Sequence, residues 1–269
     1  MPAHAAQREA LRVIVTRPRR EAQSWQEMLQ GRGFDALALP LIAISPVNDS
    51  AALREAWRGL ANIQAVMFVS ANAVSHFFDA APDGLRSGWL DGSVSARAWA
   101  TGPGTRQALL DAGVPEMRID CPASTSPQFD SETLWRLVAA QIRAGSRVLI
   151  VRGGDAGGVP AGRDWLAAQL EGAGGVCDAV VAYARTPPAW STDEAACARQ
   201  AAADGSIWLF SSSEAIANLA ALVPAQRWGQ ARAVATHPRI AQAARDAGFG
   251  VVCESRPALA EVVASIESL

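Results

Sequence analysis

The feature that most constrains this chain is a strand–turn–helix unit that recurs. Ile207 to Phe210 is a short apolar run of strand formers, three serines follow it, and Glu214 stands three residues after Ser211, the spacing of a capping box. Ala215, Ile216, Leu219, Leu222 and Val223 continue at helical intervals until Pro224 ends the pattern. A strand running through a polar turn into a helix start presents unpaired backbone N–H groups that suit a carboxylate or phosphate. The plainer reading is that the serines only cap a helix. Recurrence shifts the balance. Ser70 sits in a matching run from Ala65 to Phe78, and Thr101 and Thr236 open two more units of one design. Ser211 lies 141 residues after Ser70, Thr236 lies 135 after Thr101, and Arg152 lies 135 after Arg17. Offsets this close indicate an internal repeat and two similar domains.

A chain of 269 residues accommodates two domains of ordinary size. A net charge of −2 with no single-signed run predicts a soluble globular protein and argues against a nucleic-acid binder. Met1 to Arg12 has no apolar core of a signal peptide, and no apolar stretch approaches a membrane span, so a cytoplasmic, membrane-free protein is expected. Cys121, Cys177, Cys197 and Cys253 are far apart and read as reduced. All 24 basic residues are arginine. Without lysine there is no Schiff base, no pyridoxal-phosphate anchor and no Walker-A or kinase lysine. With only His4, His76 and His237 there is no metal cluster to suggest, and no G-x-S-x-G elbow supports a serine hydrolase.

Taken in order, Val13 to Thr16 reads as a strand, with a helix face at Ala22, Trp25 and Leu29. Phe34 to Ile44 reads as one long strand broken by Pro40, which suits an edge or a crossing segment. Helix Ala51–Leu60 and strand Val66–Ser70 follow; Ser87 to Ser95 is expected to be loop. Thr101-Gly-Pro-Gly-Thr105 opens a helix, with proline in its first turn. Arg118 to Cys121 is a short strand, and a helix starts at Ser131. After Val148 to Val151 comes a glycine-rich turn, Gly153 to Gly158, which lacks the G-x-G-x-x-G spacing of a dinucleotide site. Val176 to Ala184 is a strand holding the only tyrosine, Tyr183, and Thr186-Pro-Pro188 looks like a hinge. Tryptophans such as Trp25, Trp57, Trp135 and Trp165 lie on helical faces and read as packing. Strands alternating with helices predict an α/β fold with parallel sheets, and in such sheets ligands bind at the carboxyl ends of the strands. Those ends hold Arg17, Ser70, Thr101, Arg152, Ser211 and Thr236.

Val15-Thr-Arg-Pro18, Phe68-Val-Ser-Ala-Asn-Ala-Val74, Val148-Leu-Ile-Val-Arg-Gly153, Ser212-Ser-Glu-Ala215 and His237-Pro-Arg-Ile-Ala241, in this order, resemble the uroporphyrinogen-III synthase family. The resemblance runs from Leu11 to near the end. It implies two flavodoxin-like parallel-sheet domains joined by a two-stranded antiparallel linker. One domain would be discontinuous (1–43 with 187–269) and the other would span 44–186, with crossing strands near 39–45 and 180–186. It also implies a monomeric lyase of porphyrin and haem biosynthesis that closes the linear tetrapyrrole hydroxymethylbilane, losing water and inverting ring D, with no metal or organic cofactor. A transient contact with the deaminase that makes this substrate is an expectation of the same kind. The competing readings are a non-catalytic two-domain module that binds or senses a small molecule, and a catalytically dead scaffold.

The substrate is a polyacid, so helix N-termini suit it at about 0.3–1 kcal/mol each. Orientation must do much of the work, because uncatalysed closure gives the uninverted isomer. Loss of the hydroxyl leaves a cationic azafulvene, which nearby acceptors can steady. Tyr183 aligns with the family tyrosine suspected of assisting that departure; the bland alternative is an amphipathic hinge residue. Ser70, Thr101, Thr105, Ser211, Ser212 and Thr236 are hydroxyls expected on turns, and Arg17, Arg152 and Arg239 are candidate carboxylate partners, though an exposed arginine is ordinarily surface charge. Where the family more often has glycine-x-threonine, this chain has His237-Pro-Arg239; His237 is the candidate replacement donor.

Overall fold

The computed structural model describes residues 11–126, 128–155, 157–160 and 165–269. The stretch read as lacking a leader, with His4, and Ala156 of the glycine-rich turn lie outside the described residues. The chain opens with β1 (Arg12–Val15), α1 (Arg19–Gln30), β2 (Asp35–Ala38), β3 (Ala43–Pro46), α2 (Ala51–Gly59), β4 (Ala65–Phe68) and α3 (Ala71–Asp79). It continues through α4 (Leu85–Leu90), β5 (Arg97–Ala100), α5 (Pro103–Asp111), β6 (Ile119–Asp120), α6 (Ser131–Val138), β7 (Arg147–Gly154), α7 (Trp165–Gly172) and β8 (Val176–Thr186). It closes with α8 (Thr192–Ala201), β9 (Ile207–Phe210), α9 (Ser213–Leu222), β10 (Arg232–Ala235), α10 (Pro238–Asp246), β11 (Val251–Glu254) and α11 (Leu259–Glu267). The chain divides into two compact units. One runs to Ala43 and resumes as Pro187–Leu269; the other is Ile44–Thr186.

The discontinuous unit holds a sheet ordered β11-β10-β9-β1-β2, and the continuous unit one ordered β3-β8-β7-β4-β5-β6. The pairs β1–β2, β1–β9, β9–β10 and β10–β11 are parallel, as are β4–β5, β4–β7, β5–β6 and β7–β8. Place by place the sheets match: β6 stands where β11 does, β5 where β10 does, β4 where β9 does, β7 where β1 does and β8 where β2 does. The registers match as well. Ala65 lies beside Val148 as Ile207 lies beside Val13, and Ala65 beside Arg97 as Ile207 beside Arg232. Arg147 lies beside Val176 as Arg12 lies beside Asp35. The near-constant sequence offset is therefore a repeat whose halves are exchanged. Strands β1 and β2 of the first copy complete the sheet of β9–β11, and β7 and β8 of the second complete the sheet of β4–β6.

The central strands are buried on both faces, as parallel sheets under helices require. Every residue of β4 and of β9 is buried. Alternation then sorts side chains between layers. In the continuous unit Val66 and Phe68 join Trp57, Phe77, Phe78 and Trp89 on one face, while Ala65 and Met67 join Trp99, Leu134 and Leu170 on the other. The four aromatic partners of Phe68 stack and edge one another, with Trp57 and Phe77 centroids 4.7 Å apart. In the discontinuous unit Val13 and Val15 pack with Leu29, Val262 and Ile266. Trp208, Phe210, Trp228 and Phe249 form a second aromatic group there.

Several expectations change. Phe34 to Ile44 is not one strand: Pro40 separates β2 from β3, which pair in different sheets. The expected loop from Ser87 contains the last residues of α4, anchored where the buried Trp89 donates its indole N–H to the Ala96 carbonyl at 2.7 Å. Gly153 and Gly154, expected in a turn, are the last two residues of β7. At α9 the cap is Ser212, so Ser211 and Glu214 do not form the expected box. The capping box lies instead at α8, between Ser191 and Glu194.

Candidate active site

Order reverses between β1 and β9 in one sheet and between β7 and β4 in the other, and crevices for ligands open at such switch points, beyond the carboxyl ends of the strands. In the continuous unit the chain leaving β4 reaches Ser70, the cap of α3, whose Oγ accepts from the Ala73 N–H at 3.1 Å. Ser70 is half-buried. The same oxygen lies 3.0 Å from the Tyr183 hydroxyl on β8, two strands away. Tyr183 is 2% exposed and belongs to the hydrophobic core of this unit.

Two neighbours hold its ring. A β-bulge between Arg152 and Gly153 sets Gly153 opposite Tyr183. A Cβ on Gly153 would stand 2.7 Å from Cε2 and Cζ of the ring and 3.0 Å from its oxygen, so only glycine leaves the phenol its place. From α3, His76 stacks on the ring with centroids 5.7 Å apart and planes 24° apart. Burial pushes the His76 imidazole below its ordinary value, with Asp79 opposing. Sequence reasoning names Tyr183 and Ser70 separately and misses both His76 and Gly153. The signal for His76 is its helical position, six residues after the Ser70 cap.

The remaining candidates divide by burial. Thr101 is half-buried and donates its hydroxyl to the Val69 carbonyl at 3.3 Å, linking the ends of β5 and β4. Thr105 is not on a turn: it faces inward from α5 at 6% exposure. Arg152 likewise lies within β7, 6% exposed.

In the discontinuous unit Arg17 follows β1 at the switch point. Its guanidinium lies 4.5 Å from the centre of the Trp25 ring and 3.6 Å from a Glu21 oxygen, and its Nε is buried without a hydrogen-bond partner. Burial lowers its pKa, with Glu21 opposing. Trp25, read as packing alone, is thus also the platform for a cation. The adjacent Thr16, absent from the expected set, donates its hydroxyl to the Leu209 carbonyl at 2.7 Å and ties β1 to β9. Ser211 and Ser212 are half-buried at the start of α9. Thr236 is 6% exposed, and its amide donates to the Phe210 carbonyl at 3.1 Å, continuing the strand ladder. His237 caps α10 by accepting the Arg239 N–H on Nδ1 at 3.1 Å, and the Arg239 side chain is exposed.

Among the described residues there is no group of three or more His, Cys, Asp or Glu side chains able to hold a metal, and no helix long and apolar enough to cross a membrane. The sequence matches the family model for uroporphyrinogen-III synthase HemD over residues 23–264. Among solved structures, the fold is similar to a mutant uroporphyrinogen III synthase from the extremely thermophilic bacterium Thermus thermophilus, at 17% identity and a TM-score of 0.56, covering 96% of this chain and 98% of that one. It is also similar to a uroporphyrinogen-III synthetase from Helicobacter pylori, at 14% identity and a TM-score of 0.57, covering 96% of this chain and 99% of that one. At these identities the structures establish the fold; the family model carries the assignment.

Proposed function

The chain belongs to the uroporphyrinogen-III synthase family, and we propose that its continuous unit supplies the proton for the cyclisation those enzymes perform. The reaction closes hydroxymethylbilane in tetrapyrrole biosynthesis, a cofactor-independent lyase chemistry. Its difficult bond is the one between the terminal methylene carbon and its hydroxyl, since hydroxide is a poor leaving group. General-acid assistance to such a departure is worth roughly 10²–10⁴ in rate. The observation supporting Tyr183 as the proton source is its 3.0 Å hydrogen bond to Ser70, at the sheet's switch point. No observation favours the non-catalytic module.

The substrate's acetates and propionates then need receivers. In our reading these are the helix starts at Ser70, Ser212 and His237, the half-buried Thr101 and Ser211, and the cations Arg17 and Arg239. Arg17 is the best placed, since Glu21 meets its charge only at 3.6 Å. Thr105, Arg152 and Thr236, each 6% exposed, hold these turns from within. The two units are proposed as the two domains, with residues 39–45 and 180–186 crossing between them. We also propose that the protein works in the cytoplasm and receives its substrate by transient contact with the deaminase, because free hydroxymethylbilane closes unaided to the uninverted isomer.

The test is to supply hydroxymethylbilane to the purified chain and separate the porphyrin isomers after oxidation. A dominant type III product is expected; type I alone rejects the reading.

A further inference from the structure

Tyr183 is badly placed to touch a substrate. It is 2% exposed, its ring is covered by His76 on one face, and Gly153 lies close against its hydroxyl end. Among the described contacts its hydroxyl has one outlet, the Oγ of Ser70. We propose that Ser70 is the group that delivers the proton to the departing hydroxyl, with Tyr183 as the proton reservoir behind it. This rests on the reading of Tyr183 as the proton source given above.

The hydrogen-bond inventory of a serine fits the role. A hydroxyl has one proton and two lone pairs. One lone pair of Ser70 takes the Ala73 N–H at 3.1 Å. When the other takes the Tyr183 proton, the serine's own proton has no internal acceptor and is free for the substrate. Helix α3 fixes this orientation, since its first turn needs the Ala73 bond.

The step balances as follows. The methylene–oxygen bond of hydroxymethylbilane breaks and its electron pair leaves with oxygen. That oxygen takes the Ser70 proton and departs as water. Ser70 takes the Tyr183 proton, leaving a phenolate, while the terminal pyrrole nitrogen donates its lone pair and becomes the azafulvenium. After the ring carbon attacks, the proton that carbon sheds returns through Ser70 to Tyr183, and the enzyme is restored. No oxidant, reductant or metal is needed.

Three variants test this on the full chain with hydroxymethylbilane: Ser70→Gly, Tyr183→Phe and the two together, with Ser70→Thr as the hydroxyl-retaining control. Glycine is chosen because it replaces a serine cap at a cost of only about a few tenths of a kcal/mol, so the fold is kept. Each single variant is expected to lower kcat about 100-fold, the lower range for a lost general acid. KM should change little. The double variant should be no slower than the slower single, and Ser70→Thr should recover most of the rate. If Tyr183→Phe is slow and Ser70→Gly is not, the phenol acts directly and the relay is overturned while the Tyr183 reading stands. If both are slow but their effects multiply, the shared path is overturned. If Tyr183→Phe turns over normally, the reading beneath the relay is rejected and the relay goes with it.

Discussion

The same sheet occurs twice in this chain, and the sixth residue after the cap of the same helix shows how the copies diverge. In α3 that residue is His76, which stacks on the Tyr183 ring. In α9 it is Asn218, 9% exposed, whose Nδ2 donates to the Leu41 carbonyl at 2.8 Å. Both reach the line of chain that continues the strand at the sheet's end. Beyond β2 that line runs through Leu39 and Leu41, whose amides donate to the Val15 and Thr16 carbonyls. In β8 it is regular strand as far as Thr186 and carries Tyr183. One copy uses the contact to pin backbone; the other uses it to hold a phenol beside a serine. The lesson is that a shared register fixes where a side chain can act, and the local residue types decide whether it supports the fold or the chemistry.

The largest expected effect comes from removing the space that distinguishes the copies. One residue past Arg152 the chain has Gly153; the same step past Arg17 gives Pro18, where no phenol has to fit. Gly153→Ala puts a methyl 2.7 Å from the Tyr183 ring. Overpacking of this kind costs about 1–3 kcal/mol, and turnover should fall at least about tenfold as the hydroxyl is driven off Ser70. Gly229→Ala is the control, since nothing lies within 4 Å of its Cβ position. Denaturant titration and the isomer assay together read both effects. Unchanged stability and turnover in Gly153→Ala would show that the ring has room, and the contrast between the copies would lose its cause.

Next comes the pinning contact. Asn218→Ala leaves the buried Leu41 carbonyl without this donor, which should cost about 1–2 kcal/mol. Turnover per folded molecule should stay at the parent level, because the residue supports backbone only. A Tm that does not move would remove the structural half of the comparison; a lost rate at full stability would make the two copies functionally alike.

Much of this was legible in the sequence and the rest was not, for identifiable reasons. Parallel strands buried on both faces announce themselves as apolar runs, so β1, β4, β7 and β9 and the turns after them could be placed. The offsets between repeats pointed to equivalent strands, and the registers agree with them. Offsets do not say which halves share a sheet, so the exchange of β1–β2 with β7–β8 appeared only in the topology. Pro40 marked a break, yet a break inside one strand and a passage between two sheets look identical in sequence. The pairing of Ser70 with Tyr183 joins residues 113 apart across β7, and no local pattern records it. Gly153 looked like turn chemistry because a glycine that yields space to a distant ring has the same letter as one that bends the chain.

The smallest expected effect is on the pH dependence of stability, and it isolates His76. Burial lowers its pKa in the folded state below the unfolded value of about 6.5, so the folded protein resists a proton that the unfolded chain accepts. Above that value both states are neutral at this residue and it contributes nothing to the slope. As pH falls through about 6.5 the unfolded state gains the proton first, and stability drops until the folded pKa is passed. Asp79, in the next turn of α3, opposes the shift and keeps the effect modest. His76→Asn installs the residue the other copy uses and removes the titration. The loss of Tm between about pH 7.5 and 5.5, a window that brackets the unfolded value, should therefore be smaller in His76→Asn than in the parent. With His4 and His237 left in both proteins, the difference between the two slopes belongs to His76. Identical slopes would mean that stacking on Tyr183 leaves the imidazole as free to ionise as it is in the unfolded chain.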